Sequence, residues 1–182
     1  MTLLSLGLLF WVAAHLFKRL APEMRGGMGE KGKGLAALGI LVGLILMIVG
    51  YRMSGTHDLY ALPTYLRHVN NTLMVIAVFL FALGHSKSRL RGKMRHPMLT
   101  SVVVWGVAHL LVNSDAASLV LFGGMTLWAL VEMALINRAE PAPERYKGGS
   151  LAGDIRLVVI SLVVFGAIAG VHIWLGYNPF PM

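Results

Sequence analysis

Six long apolar runs, parted by short polar stretches, leave this chain one class of fold. They lie near Thr2–Leu20, Leu35–Met53, Leu66–Gly84, Pro97–Asn113, Ala116–Ile136 and Ile155–Gly176. Each is close to the ~20 residues that carry an α-helix across a hydrocarbon core. Inside lipid the backbone must satisfy its own N–H and C=O groups, and a helix does so within one segment. The sequence therefore predicts an all-α integral membrane bundle of about six transmembrane helices, in one domain covering residues 1–182. Composition agrees: 57% of residues are hydrophobic and 13% are charged, about half the charged share of a soluble domain.

Four connections hold turn or breaker signals, among them Ala21-Pro22, Gly26-Gly27, Ser54-Gly55, Pro141-Ala142-Pro143 and Gly148-Gly149. The fourth connection is only Asn113-Ser114-Asp115, whose side chains can end one helix and cap the next. The two helices it joins should form an antiparallel hairpin. The first run lacks a positive leader and a clean small-residue cleavage site, so it reads as a retained span. The chain has no cysteine, which excludes disulfides, thiolate metal ligands, cysteine-held iron–sulfur clusters and cysteine nucleophiles.

The net charge of +8 is unevenly placed. Lys18, Arg19, Arg25, Lys31 and Lys33 flank or fill the first connection. Lys87, Arg89, Arg91, Lys93 and Arg95 fill the third, and Arg138, Arg145, Lys147 and Arg156 belong to the fifth. Only Arg52 and Arg67 of the 16 basic residues fall elsewhere. The positive-inside rule then places connections 1, 3 and 5 in the cytoplasm and both termini outside, in a multi-pass protein of the cell's inner (plasma) membrane. The basic loops suit anionic lipid heads. No stacking platform or groove-reading motif accompanies them, so nucleic acid is not an expected partner. Gly39-x-x-x-Gly43 and Gly166-x-x-x-Gly170 are candidate sites for close helix packing.

Ionisable side chains at membrane depth are costly and mark candidate sites. His57 and His68 fall at the outer surface and His85 and His96 at the inner one; His15, His109 and His172 fall within apolar runs. Imidazoles in an apolar bundle without cysteine suit haem iron, and they equally suit neutral hydrogen bonds between helices. His109 follows Trp105 by one turn, so the two share a helix face, and Asn113 extends that face outward. His15 is near Lys18-Arg19, where an interfacial histidine is the competing reading. His172 precedes Trp174 and Tyr177, as in an interfacial aromatic belt. Glu132 is the only carboxylate well inside a run. It is placed either to orient His15 through the second imidazole N–H or to pair with a nearby arginine.

These residues also carry a resemblance. Arg95-His96-Pro97-Met98-Leu99, then Trp105-x-x-Ala108-His109-Leu110-Leu111, then Asn113-x-Asp115 resemble the core signature of the NnrU family. The likeness continues through Ala117-Ser118-Leu119, Leu121-Phe122-Gly123 and Trp128-Ala129-Leu130, and more loosely to His15, Gly153-Asp154 and His172. The resemblance implies a bacterial membrane protein linked to nitrite and nitric oxide respiration. Its plant and cyanobacterial relatives include 15-cis-ζ-carotene isomerase, which uses haem b, with axial histidines at positions that look like His15 and His109. The isomerases tend to carry a cysteine where this chain has Gly106. The expectation is thus a haem b protein with His15 and His109 on the iron and with Trp105, Asn113, His172 and Glu132 around the cofactor.

Two other functions stay open at this stage. One is a haem-dependent cis–trans isomerase acting on a polyene, with a polyene or quinone-like lipid as partner. The other is a methyltransferase of the isoprenylcysteine type, suggested by Arg95-His96-Pro97 alone. One tension accompanies the haem reading. At 1.5 Å per residue, His15 and His109 differ in depth by roughly 10–15 Å, and His172 matches His109 better.

Overall fold

The computed structural model describes residues 1–55 and 57–180. Helix α1 spans Thr2–Leu20, a short α2 spans Pro22–Gly27, and α3 spans Gly29–Arg52. Helix α4 covers Leu66–Leu83 and, after a 3₁₀ turn at Arg89–Lys93, α5 covers Pro97–Leu110. The next crossing is composite: α6 at Ala116–Ser118, a π-helical segment at Leu119–Gly123, and α7 at Gly124–Ala139. Helix α8 spans Leu151–Trp174. Among the described residues, five helices are long and apolar enough to cross a membrane, taking Ala116–Ala139 as one, and α5 is a shorter apolar sixth.

Helix α5 ends at Leu110, before the Asn113 expected from the apolar run. The Asn113 amide donates to the His109 carbonyl at 2.8 Å, which closes the helix and turns the chain. Asp115 then caps the next crossing, accepting from the Ser118 N–H at 2.9 Å. The hairpin between these helices is formed as the short connection required, but 14 residues rise only about 21 Å. His109 therefore stands in the last turn of α5.

Packing neighbours run α3, α1, α7, α5, α4, α8. Leu4, Met47, Met125, Trp128 and Ala129 form the core where α1, α3 and α7 meet. The outer faces carry large apolar residues such as Leu41, Ile48, Val159 and Val163, all more than half exposed, which is what lipid contact demands. In lipid, helices associate through close packing of small residues. A Cβ at Gly43 would lie 2.8 Å from the Trp11 backbone nitrogen, and one at Gly7 would lie 2.8 Å from the Gly43 carbonyl oxygen. Gly39 faces Ala14 at the same seam. The Gly166-x-x-x-Gly170 expectation is corrected: both glycines of that pair face open space, with no atom within 4 Å of an added Cβ.

Loops join in two sets. At one end, Arg19 bonds Glu140, Arg95 donates to the carbonyls of Glu140 and Pro141, and Asp154 accepts from Ser88 and Arg89. At the other end, Ser114 donates to Asp58 and Asn71 donates to the Pro179 carbonyl. The first end, which gathers connections 1, 3 and 5, is the basic end.

Candidate functional site

A helix residue meets the carbonyl one turn back, and all three histidines of the apolar runs use it. His15 Nδ1 lies 2.8 Å from the Trp11 oxygen, His109 Nδ1 3.0 Å from the Trp105 oxygen, and His172 Nδ1 2.8 Å from the Ile168 oxygen. A carbonyl only accepts, so each Nδ1 carries the proton and donates. In the neutral ring Nε2 then holds the lone pair, the form that ligates iron, with the ring angle fixed by the Nδ1 bond. The donor set therefore fits axial ligation of a haem. Among the described residues no three His, Asp or Glu side chains cluster as a cage for a bare metal ion.

His109 is packed by aromatic rings. Phe122 stacks on it at 4.5 Å between centroids, and Trp105 lies 5.2 Å away. Phe122 belongs to the π-helical segment, whose extra residue per turn alters how the following side chains are aimed. That segment is braced from α3: Tyr51 and Ser118 hydroxyls lie 2.8 Å apart, and Ser118 donates to the buried Asp115 carboxylate at 2.6 Å. Tyr51 also meets Phe122 edge-on at 6.0 Å. Asn113 closes the helix end through its amide.

His15 occupies a different seam. It contacts Trp11 at 4.4 Å and Trp128 at 4.7 Å, and the two indoles meet edge to face at 5.6 Å. Both indole N–H groups are buried without a hydrogen-bond acceptor; the edge-to-face geometry is one in which an N–H meets a ring face. Of the two placements open for Glu132, the structure shows the pairing with an arginine. The His15 N–H goes to its own helix, and Glu132 Oε1 lies 3.7 Å from Arg19 Nε. Arg19 reaches both Glu132 and Glu140, because it stands one turn below His15 at the basic end. Glu132 Oε2 is buried and unpartnered.

The two seams are at different depths. A Cβ on Gly124 would meet the Leu8 side chain, and one on Gly106 would meet Phe122 and Thr126, so Leu8, Gly124 and Gly106 share a level. His15 is seven residues from Leu8 toward the basic end, and His109 is three residues from Gly106 toward the other. Those ten residues correspond to about 15 Å along the bundle. Helix α7 packs on both α1 and α5; its Trp128 faces His15, while Phe122 of the π-helical segment before it faces His109. His172, by contrast, stands in the last turn of α8, at the same end of the bundle as His109 in the last turn of α5.

Sequence reasoning missed the Tyr51–Ser118–Asp115 chain, which joins residues far apart in sequence. It also missed that Trp precedes both His15 and His109 by four residues, a repeated spacing that would have pointed to a shared geometry. Arg95, His96 and Pro97 each have a structural place. Arg95 holds the Glu140 and Pro141 carbonyls, His96 Nε2 lies 2.8 Å from Asn137 Oδ1, and Pro97 opens α5.

Compared with known families, residues 3–179 match the family described as NnrU protein, which is nearly the whole chain. No curated protein and no solved structure matches.

Proposed function

The chain belongs to the NnrU family, and from that premise we propose that it holds haem b within the membrane, with His109 on the iron, in the service of nitrite and nitric oxide respiration. The observation that carries this reading is the fixed tautomer. His109 sits in an apolar, aromatic pocket with Nδ1–H anchored at 3.0 Å on the Trp105 carbonyl, so its Nε2 is the ring nitrogen left for a metal. Trp105 and Phe122 surround the imidazole with apolar aromatic surface. Bound haem supplies reversible one-electron chemistry, with a potential set by its axial ligands and by burial.

Two histidines compete for the second axial position. The family resemblance points to His15. Depth favours His172, which stands in the last turn of α8 at the same end of the bundle as His109, whereas His15 is about 15 Å deeper. The test is haem content per protein, with the reduced and oxidised absorption spectra, in three variants. His109→Ala should lower haem content roughly tenfold or more. Loss in His172→Ala with retention in His15→Ala assigns the second position to His172; the reverse assigns it to His15 and requires α1 and α5 to sit differently when loaded. Full haem content in His109→Ala overturns the reading.

A further inference from the structure

The turn between α4 and α5 leaves a cavity of about 280 Å³ at the basic end, lined by His85, Arg95, His96, Pro97 and Met98 together with Gly84 and Leu99. Among the described residues no acidic side chain lines it. Arg95 is always charged. One terminal nitrogen holds the Glu140 and Pro141 carbonyls at 2.9 and 3.2 Å, and its Nε is buried with no acceptor. His85 is exposed, and its ring has no hydrogen-bond partner among the described residues. Helix α5 opens at Pro97 without a side-chain cap, so the N–H groups of Met98 and Leu99 lack intrahelical partners. Arg89, Arg91 and Lys93 stand on the same connection.

Cationic side chains and free N–H groups around one space call for an anion with several acceptor oxygens. The surroundings narrow its source. Met98 and Phe81, on the helices that flank the cavity, present exposed apolar surface, while the polar groups sit where the apolar runs of α4 and α5 end. A phosphate carried on acyl chains satisfies both halves.

We propose that this cavity seats the phosphate of an anionic phospholipid, with Arg95 and His85 at its side and the opening of α5 at its floor. The assignment is independent of the haem reading, because the cavity lies at the other end of α5 from His109.

The experiment uses the full chain in neutral detergent, titrated with phosphatidylglycerol while the unfolding temperature is read. Wild type should rise saturably. Arg95→Gln should weaken the apparent affinity roughly tenfold. Because Arg95 also holds two carbonyls, His85→Gln is the second variant; the His85 ring has no partner among the described residues, and the variant should weaken binding severalfold without lowering the lipid-free unfolding temperature. Lys147→Gln, on the same surface but outside the cavity, should bind as wild type. Equal weakening in Lys147→Gln, or unchanged affinity in both cavity variants, would mean diffuse attraction to a basic surface and overturns the site. Inorganic phosphate stabilising the protein as strongly as the lipid moves the ligand into solution and overturns the lipid assignment.

Discussion

Trp11 precedes His15, and Trp105 precedes His109, by one helical turn, and in both pairs the imidazole donates to the tryptophan carbonyl. The backbone thus orients both rings without help from a second side chain. This is why Glu132 is free to serve elsewhere, and it turns to Arg19. Sequence alone singled out the three histidines and Glu132, since charge and imidazole are conspicuous in apolar runs. It did not resolve the partner of Glu132, because Arg19 and His15 share one face of α1 and only side-chain reach separates them. Arg19 also bonds Glu140, which stands past the end of α7. The hydrogen bond from Arg19, and then its charge, hold the Glu140 carboxyl below its ordinary value of 4.5. A depressed folded value means that this bond stabilises the protein above about pH 4.5 and that its contribution fades as pH falls through the depressed value. Wild type should therefore unfold at a higher temperature than Glu140→Gln at pH 7, and the gap should close in acid. A gap that stays constant down to pH 3 would remove the ion pair from the account.

Helix boundaries were legible where breakers or caps marked them. Thr2–Leu20 is as the apolar run predicted, while α3 and α8 start at Gly29 and Leu151, earlier than the apolar runs of Leu35 and Ile155, because helices extend past the hydrocarbon into polar sequence. The π-helical turn at Leu119–Gly123 was not legible. An inserted residue leaves the apolar content unchanged and shows only in the direction of the side chains that follow. Its cause is visible in the contacts: Phe122 faces His109 and Trp105, while Gly124 two residues later meets Leu8 on the opposite neighbour. Gly106 completes this fit. A Cβ there would strike the Thr126 hydroxyl and lie 2.8 Å from the Phe122 carbonyl oxygen, so any larger side chain at this position requires a differently set π turn. Gly106→Ala should cost about 1–3 kcal/mol through overpacking and should disturb any spectrum that reports on His109. Gly166→Ala, with open space around it, is the matched control and should unfold with wild type. A Gly106→Ala variant as stable as Gly166→Ala would show that the α5–α7 contact relaxes without cost.

At the scale of the whole molecule, the structure gathers connections 1, 3 and 5 at one end through Arg19–Glu140, Arg95–Glu140 and Arg89–Asp154. Fourteen of the 16 basic residues belong to those connections or their flanks. The apolar lipid-facing surface by itself sets no orientation. The charges decide, because each Lys or Arg near an anionic cytoplasmic leaflet gains about 1 kcal/mol and basic segments resist translocation. An excess of this size outweighs Arg52 and Arg67 at the opposite end. The proposed phospholipid site agrees with that expected orientation, which would set Arg95 at the leaflet richer in anionic lipid. The expected outcome is that a reporter active only outside the cytoplasm works when fused after Met182, while one fused within residues 140–150 does not. A fusion near Arg145 that reports the outside would invert the bundle, and the lipid at the α4–α5 cavity would then have to come from the outer leaflet.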